Sequence, residues 1–389
     1  MVHLIAWRFI GTLSAALVQF ATYVLLARAL GVGDYGVFAA LFGVGSFITT
    51  LTGAGFTHRA LRLRAEGDDP SVKRATMVAF RAALGTLLAV VVFLIGTSAE
   101  LPVASCIVAA SFILIDAVTD ICQAVMAGAD QLGRATMILI AQRLLLLTTA
   151  AAFVSTEQPS WLIGAALIAT AANVAVTIRG WPRGSTLIKL ITTSFSYWRA
   201  NLASSLSQLE TPVIALIGGS AASGLYGAGS RAGGPVNLLA QALLQAATPT
   251  LSTALPHERM SLFTQMRHVT WGIVGAALIL AVPAGFAGAW LLGDEYTQAW
   301  PFIAGFVVSG ALMGVNQAHQ AVLFAFDRAA SAARAVAIGA VAALLYAAVA
   351  AWALPIWTLI LTPVVAQSVM QLGLARAVAT GREDGRFSG

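Results

Sequence analysis

Twelve long apolar segments constrain the fold of this chain more than any other feature of its sequence. A helix needs about 20 mostly apolar residues to cross the hydrocarbon core of a bilayer. No alternating strand pattern competes with these segments, and the segments that connect them are too short for a soluble domain. We therefore predict an all-α polytopic membrane protein. The predicted spans are 4–28, 35–57, 75–97, 102–126, 135–155, 160–179, 196–217, 222–247, 269–292, 298–324, 332–353 and 355–377.

The composition agrees with this prediction. Of the 389 residues, 59% are hydrophobic and only 10% are charged, whereas a soluble domain carries roughly 25% charged residues. The net charge of +6 would suggest nucleic acid as a partner of a soluble protein, but here membrane topology explains it and we expect no nucleic acid. The first apolar segment is longer than the core of a secretory signal, which is about 7–15 residues. We expect this segment to be retained as the first span.

The basic residues alternate from loop to loop. The segment after every even-numbered span carries Arg or Lys, whereas several of the opposite loops carry acidic residues, among them Glu100, Glu157 and Asp294. Lys and Arg concentrate on the cytoplasmic side of a membrane protein. The pattern therefore predicts a multi-pass membrane protein with both termini in the cytoplasm.

The two halves of the chain share short stretches of sequence in the same order. The matching stretches are 13–24 with 202–213, 33–36 with 224–227, and 123–125 with 320–322. Matches about half a chain apart predict an internal duplication of six spans. Because each half has an even number of spans, both halves enter the membrane from the same side, and the two bundles are parallel rather than inverted.

The duplication predicts how the chain is divided. We predict an N-terminal six-helix bundle at 1–180, a cytoplasmic linker at 181–195 and a C-terminal six-helix bundle at 196–389. Two such bundles would face each other across a central cleft, and rocking them would open the cleft to each side in turn, which is the alternating access of transporters.

Residues 28–36, Arg-Ala-Leu-Gly-Val-Gly-Asp-Tyr-Gly, follow an apolar helix that carries Gln19. Glycine accepts the positive φ of a tight turn, and Tyr35 suits the water–lipid boundary, so we predict a hairpin here. This hairpin resembles the first hairpin of Wzx-type polysaccharide flippases in the multidrug/oligosaccharidyl-lipid/polysaccharide exporter superfamily. The resemblance implies a protein of the bacterial cytoplasmic (inner) membrane that flips an undecaprenyl-diphosphate-linked oligosaccharide to the outer leaflet for surface polysaccharide biosynthesis. It also implies polysaccharide polymerases or glycosyltransferases as partners.

Six charged residues lie at bilayer depth in the predicted spans: Arg81, Arg143, Arg231, Asp116, Asp120 and Glu210. Charge at this depth is costly and needs a partner or a water-filled cavity. The helical rise places Arg81 and Asp120 about 10 Å from the cytoplasmic side. It places Arg143 with Asp116, and Glu210 with Arg231, near the middle of the membrane.

Two interpretations of these charges remain open. The pairs either lock helices together, or the arginines line the cleft and bind a lipid diphosphate through the guanidinium fork. Under the second interpretation, Glu210, Asp116 and Asp120 are candidates to carry a proton or bind Na⁺ and so couple transport to an ion gradient.

Two groups of polar residues mark spans eight and ten. Asn237 and Gln241 share one face of span eight, because they are four residues apart, and Asn316 and Gln317 are adjacent in span ten. Amides that face a wet cavity bind sugar hydroxyls, whereas amides between helices hold the helices together. Both interpretations are open, and we include these residues among the candidate substrate contacts.

Three function classes remain to be compared. The first is the flippase, and the second is a cation-coupled multidrug or metabolite exporter of the same superfamily, with an acidic or aromatic cavity. The third is a membrane-embedded glycan polymerase or ligase, which needs catalytic side chains on a sizeable outer loop, whereas the outer loops here are short and lack His. The sequence shows no P-loop and no metal-ligand cluster. We therefore expect a transporter without catalytic residues, metal or cofactor.

Overall fold

The described residues of the computed structural model are mostly helical. The structure describes residues 2–60, 70–129, 131–178, 184–194, 198, 202–203, 205–234, 236, 256–326 and 328–383, and no strand occurs within these ranges. In that part of the chain, nine helices are long and apolar enough to cross a membrane. Large apolar side chains such as Ile279 (77% exposed) and Trp352 (81% exposed) lie on their outer surfaces, where lipid is the expected solvent.

The chain forms two compact units, Met1–Ala215 and Leu216–Gly389. The first long helix, Val2–Thr52, is interrupted at Gly31, and we name its two parts α1 (2–30) and α2 (32–52). The other helices of the first unit are α3 (Phe56–Ala60), α4 (Pro70–Ser98), α5 (Val103–Gly128), α6 (Leu132–Thr156), α7 (Ser160–Thr177) and α8 (Gly184–Thr193). The predicted boundaries at 180 and 196 stay a prediction.

Helix α9 (Glu210–Gly218) follows a short 3-10 turn, Leu206–Leu209, and runs across the boundary between the units. The helices of the second unit are α10 (Ser220–Ala232), α11 (Pro256–Leu292), α12 (Trp300–Ala325), α13 (Ala329–Ala353) and α14 (Leu361–Glu383). Two further 3-10 turns, Asp294–Ala299 and Ile356–Ile360, precede α12 and α14.

Gly31 reverses the chain between α1 and α2. Tyr23 and Phe38 would lie about 22 Å apart along a continuous helix, but their ring centroids are 6.5 Å apart. Gly31 has φ 71° and ψ 170°, a backbone conformation that is essentially restricted to glycine. The first hairpin is therefore confirmed, and one residue forms its turn.

Gly219 has the same conformation between α9 and α10, with φ 87° and ψ 170°. The two reversals lie in corresponding places of the two halves, which supports the predicted duplication. The predicted turn residues 33–36 and 224–227 are helical instead, because each reversal is completed at the preceding glycine. The Tyr35 side chain is fully buried and packs on Phe38, with ring centroids 5.3 Å apart, and its place at the membrane boundary stays a prediction.

One buried helix organises each unit. In the first unit, α5 packs against α1–α2, α4, α6 and α7, and in the second unit α12 packs against α10, α11, α13 and α14. These are the most buried membrane-length helices of their units. A helix that carries apolar or small residues on every face can be buried on all sides. Counting Gly31 and Gly219 as breaks between spans, α5 and α12 are the fourth spans of their halves, which again agrees with a duplication.

We expect Gly219→Ala to destabilise the protein through its backbone alone. A Cβ at Gly219 would meet no atom within 4 Å, but the residue has φ 87°, so alanine would cost about 1–2 kcal/mol. The measurement is the thermal unfolding midpoint in detergent. The matched control is Gly275→Ala, which also meets nothing within 4 Å but lies inside α11, where alanine is tolerated or mildly stabilising. Equal midpoints for the two variants would contradict the assigned role of Gly219.

Candidate functional site

Asp116 and Arg143 form an ion pair near the middle of the first unit. Asp116 lies on the central helix α5 and Arg143 on α6, each close to the midpoint of its helix. Arg143 Nη1 is 3.5 Å from Asp116 Oδ1, with side-chain exposures of 11% and 28%. The structure therefore confirms that these two residues meet, as their depths in the sequence predict. Each side chain retains some access from outside the packed helices.

Asp120 extends this pair into a charge cluster, which we define as Arg81, Asp116, Asp120 and Arg143. Asp120 lies one helical turn from Asp116 on the same face of α5, and its side chain is exposed. It interacts electrostatically with the other three members. Two cations and two anions thus offset one another at a depth where an isolated charge would be costly.

Arg81 is the member of the charge cluster that is tied to the protein backbone. It lies on α4, is only 4% exposed, and donates from Nη1 to the carbonyl oxygen of Thr49 in the last turn of α2 at 2.5 Å. A cation near a helix C-terminus is stabilised by the helix dipole. Its burial and this contact make Arg81 an anchor of α2, so it is less available to a substrate than Arg143.

A buried polar network that the sequence analysis missed lies beside the charge cluster. Gln142 donates to Thr119 Oγ1 at 2.5 Å, and Asn173 donates to Gln142 Oε1 at 3.4 Å and to the Ala169 carbonyl at 2.8 Å. The network joins α5, α6 and α7. Adjacent residues on a helix point about 100° apart, so fixing Thr119 and Gln142 also fixes the directions of their neighbours Asp120 and Arg143.

Asn316 and Gln317 lie buried in the second unit, on the central helix α12. Asn316 donates from Nδ2 to Gln367 Oε1 at 2.7 Å and to the Gln367 carbonyl at 3.0 Å, which ties α12 to α14. Gln317 Oε1 is buried and has no hydrogen-bond partner among the described residues. These contacts are those of a helix–helix interface, and a role in sugar binding stays a prediction.

The remaining candidates are less closely defined. Glu210 begins α9 and is 6% exposed, and Arg231 lies in the last turn of α10. Both residues have interaction partners, and their pairing with each other stays a prediction. Asn237 and Gln241 lie outside the described residues. Within the described part of the chain, no group of three His, Cys, Asp or Glu residues is placed to hold a metal ion.

Comparison with known proteins identifies the family of this chain. A family model described as polysaccharide biosynthesis protein matches residues 2–255, which is more than half of the chain. The chain belongs to the polysaccharide biosynthesis protein family. The comparison with curated proteins gives no match. Membership of the family agrees with the resemblance to polysaccharide flippases that the first hairpin indicated.

Solved transporter structures resemble this family member over almost its whole length. An inward-facing multidrug resistance MATE family transporter of the MOP superfamily has a TM-score of 0.65 at 14% identity, covering 96% of this chain and 94% of that chain. The lipid II flippase MurJ in an inward closed conformation has a TM-score of 0.70 at 12% identity, covering 96% of this chain and 87% of that chain. A MOP superfamily transporter from Pyrococcus furiosus has a TM-score of 0.59 at 12% identity, covering 97% of this chain and 95% of that chain.

At these sequence identities the likeness shows the fold. MATE and MurJ proteins share a two-bundle architecture of twelve helices. The predicted all-helical fold of two bundles is therefore confirmed, and this member of the polysaccharide biosynthesis protein family is a multi-pass membrane protein with a transporter fold.

Proposed function

We propose that this protein flips an undecaprenyl-diphosphate-linked oligosaccharide from the cytoplasmic to the outer leaflet of the bacterial inner membrane. The observation that carries the proposal is the match to the polysaccharide biosynthesis protein family over residues 2–255. The fold shared with a lipid II flippase supports it. Both chain termini lie in the cytoplasm in this proposal. Polysaccharide polymerases or glycosyltransferases are the proposed partners.

Arg143 is the residue that we assign to the diphosphate. Its guanidinium keeps its charge at any working pH and presents parallel N–H donors to phosphate oxygens. The 3.5 Å separation from Asp116 is longer than the roughly 2.7–2.9 Å of a strong charge-assisted hydrogen bond. A loosely held arginine can exchange its carboxylate partner for a phosphate when substrate arrives, and return to Asp116 when substrate leaves.

Alternating access supplies the transport step in this proposal. The two compact units rock about the substrate and expose it first to one leaflet and then to the other. The Arg143–Asp116 pair then serves a second purpose, because it neutralises the site while the empty protein returns.

Asp116, Asp120 and Glu210 are the proposed coupling residues. A carboxylate inside the membrane is neutralised by a proton or Na⁺, and Asp120 is exposed on the same helix face as Asp116. We expect transport in vesicles to accelerate under an imposed proton or Na⁺ gradient, and Asp120→Asn to remove the acceleration. The control Asp294→Asn changes an exposed carboxylate in a 3-10 turn and should retain it. An equal wild-type transport rate with and without either gradient would show that these residues do not couple transport to an ion.

A cation-coupled multidrug or metabolite exporter is the second candidate function. The observation that favours it is the fold shared with a multidrug resistance MATE family transporter. We expect an acidic or aromatic cavity in such an exporter, rather than an arginine that binds substrate, so the role of Arg143 separates the two functions.

A charge swap tests whether Arg143 binds substrate or only locks α5 to α6. We expect Arg143→Ala to abolish glycan export in cells at unchanged protein levels. Arg143→Asp combined with Asp116→Arg restores an ion pair between the two helices, but it moves the cation to α5. We expect normal protein levels and no export from this double variant, because the phosphate contact is lost.

The control for the swap is Arg334→Ala, which removes an exposed arginine near the start of α13 and should leave export unchanged. Full export from the swapped variant would show that the pair only holds helices together. Normal export from Arg143→Ala would remove Arg143 from the substrate site.

A further inference from the structure

A small cavity lies at one end of the first unit, away from the charge cluster. It has a volume of about 100 Å³ and is lined by Ser71, Arg74, Val125, Met126, Ala129, Gln131, Val176 and Thr177. These residues come from the start of α4, the ends of α5 and α7, and the residue before α6. This is the basic end of the unit, which the sequence predicts to be cytoplasmic.

Two polar groups in the cavity wall lack a nitrogen or oxygen partner among the described residues. Arg74 Nε is buried and has no hydrogen-bond partner among the described residues. Thr177 is 8% exposed, and its buried Oγ1 contacts the weakly hydrogen-bonding thiol of Cys122 but no nitrogen or oxygen partner in the described part of the chain. A buried donor left unsatisfied costs about 1–3 kcal/mol, and more when it is charged. A ligand that accepts hydrogen bonds from both groups would recover this cost.

The helix ends around the cavity contribute opposing charges. The N-termini of α4 and α6 carry partial positive charge and the C-termini of α5 and α7 carry partial negative charge, so the helix ends largely offset each other. Gln131 precedes α6 without a side-chain capping bond to that helix. Among the described residues that line the cavity, Arg74 is the one that carries a charge, and its guanidinium favours an anion.

The volume limits what this anion can be. Pockets that bury drug-sized ligands occupy about 300–1,000 Å³, so an oligosaccharide does not fit. A single tetrahedral oxyanion fits, and it would present acceptor oxygens to a guanidinium and a hydroxyl at once.

We infer that this cavity binds one phosphate group, either free inorganic phosphate or the headgroup phosphate of an anionic phospholipid at the membrane surface. Arg74 supplies the charge, and Thr177 and Gln131 supply neutral hydrogen bonds. The site is separate from the transport site proposed above and does not depend on it. The bound phosphate would stabilise the packing of the ends of α4, α5, α6 and α7 against one another.

The experiment uses the full-length protein purified in neutral detergent and in lipid nanodiscs. Inorganic phosphate is titrated against sodium chloride of equal ionic strength, because salt alone screens charges, and the thermal unfolding midpoint gives the apparent affinity. In parallel, nanodiscs of phosphatidylcholine with or without phosphatidylglycerol are compared by the unfolding midpoint and by native mass spectrometry of retained lipid.

We expect phosphate, phosphatidylglycerol or both to stabilise the wild type. Arg74→Gln should weaken binding roughly tenfold or more, since it removes a charged hydrogen bond. The matched control is Arg134→Gln, which removes an exposed arginine at the same end of the unit and should bind as the wild type does. Stabilisation by phosphate identifies the free ion as a ligand, and stabilisation by phosphatidylglycerol alone identifies the lipid headgroup.

A second variant keeps the inference testable if Arg74→Gln does not fold. Ala129→Leu fills the cavity without changing its charge, and it should abolish binding. Binding retained by Ala129→Leu, an equal loss in Arg134→Gln, or no stabilisation of the wild type by either ligand would overturn the inference.

Discussion

Hydrocarbon offers no hydrogen-bonding partner to a polar group, and the structure depends on this constraint at every level. The backbone satisfies it by remaining helical, with reversals kept very short. Between α1 and α2 and between α9 and α10, a single glycine, Gly31 or Gly219, leaves the helical conformation. Few peptide groups then lose their helical partners at each turn. The same solution in both halves is what an internal duplication under this constraint would produce.

The constraint acts more severely on charge. Asp116 and Arg143 lie at mid-helix in apolar surroundings and remain there because each offsets the other. The network of Thr119, Gln142 and Asn173 holds the rotation of the helices that carry them. Such a costly arrangement is easier to explain by a substrate that carries charge than by helix packing alone, since apolar residues would pack α5 against α6 more cheaply. A lipid diphosphate is a substrate of this kind.

The sequence predicts the fold well and the candidate site in part. Helical rise converts residue number into depth, so the meeting of Arg143 and Asp116 could be predicted from spacing alone. The turn could not be placed precisely, because Gly31 and Gly33 both accept positive φ and only packing decides between them. The partners of Gln142 and Asn316 were also unpredictable, because an amide serves a cavity or an interface equally well until the rotation of its helix is known.

The most direct measurement is lipid flipping in proteoliposomes. An undecaprenyl-diphosphate-linked oligosaccharide is placed in one leaflet, and its appearance in the other is followed with a glycan-binding probe that does not cross the membrane. We expect rapid transfer in vesicles that contain the wild-type protein. For Arg143→Ala we expect transfer at the rate of protein-free vesicles. Equal rates in wild-type and protein-free vesicles, with the protein folded and inserted, would contradict it.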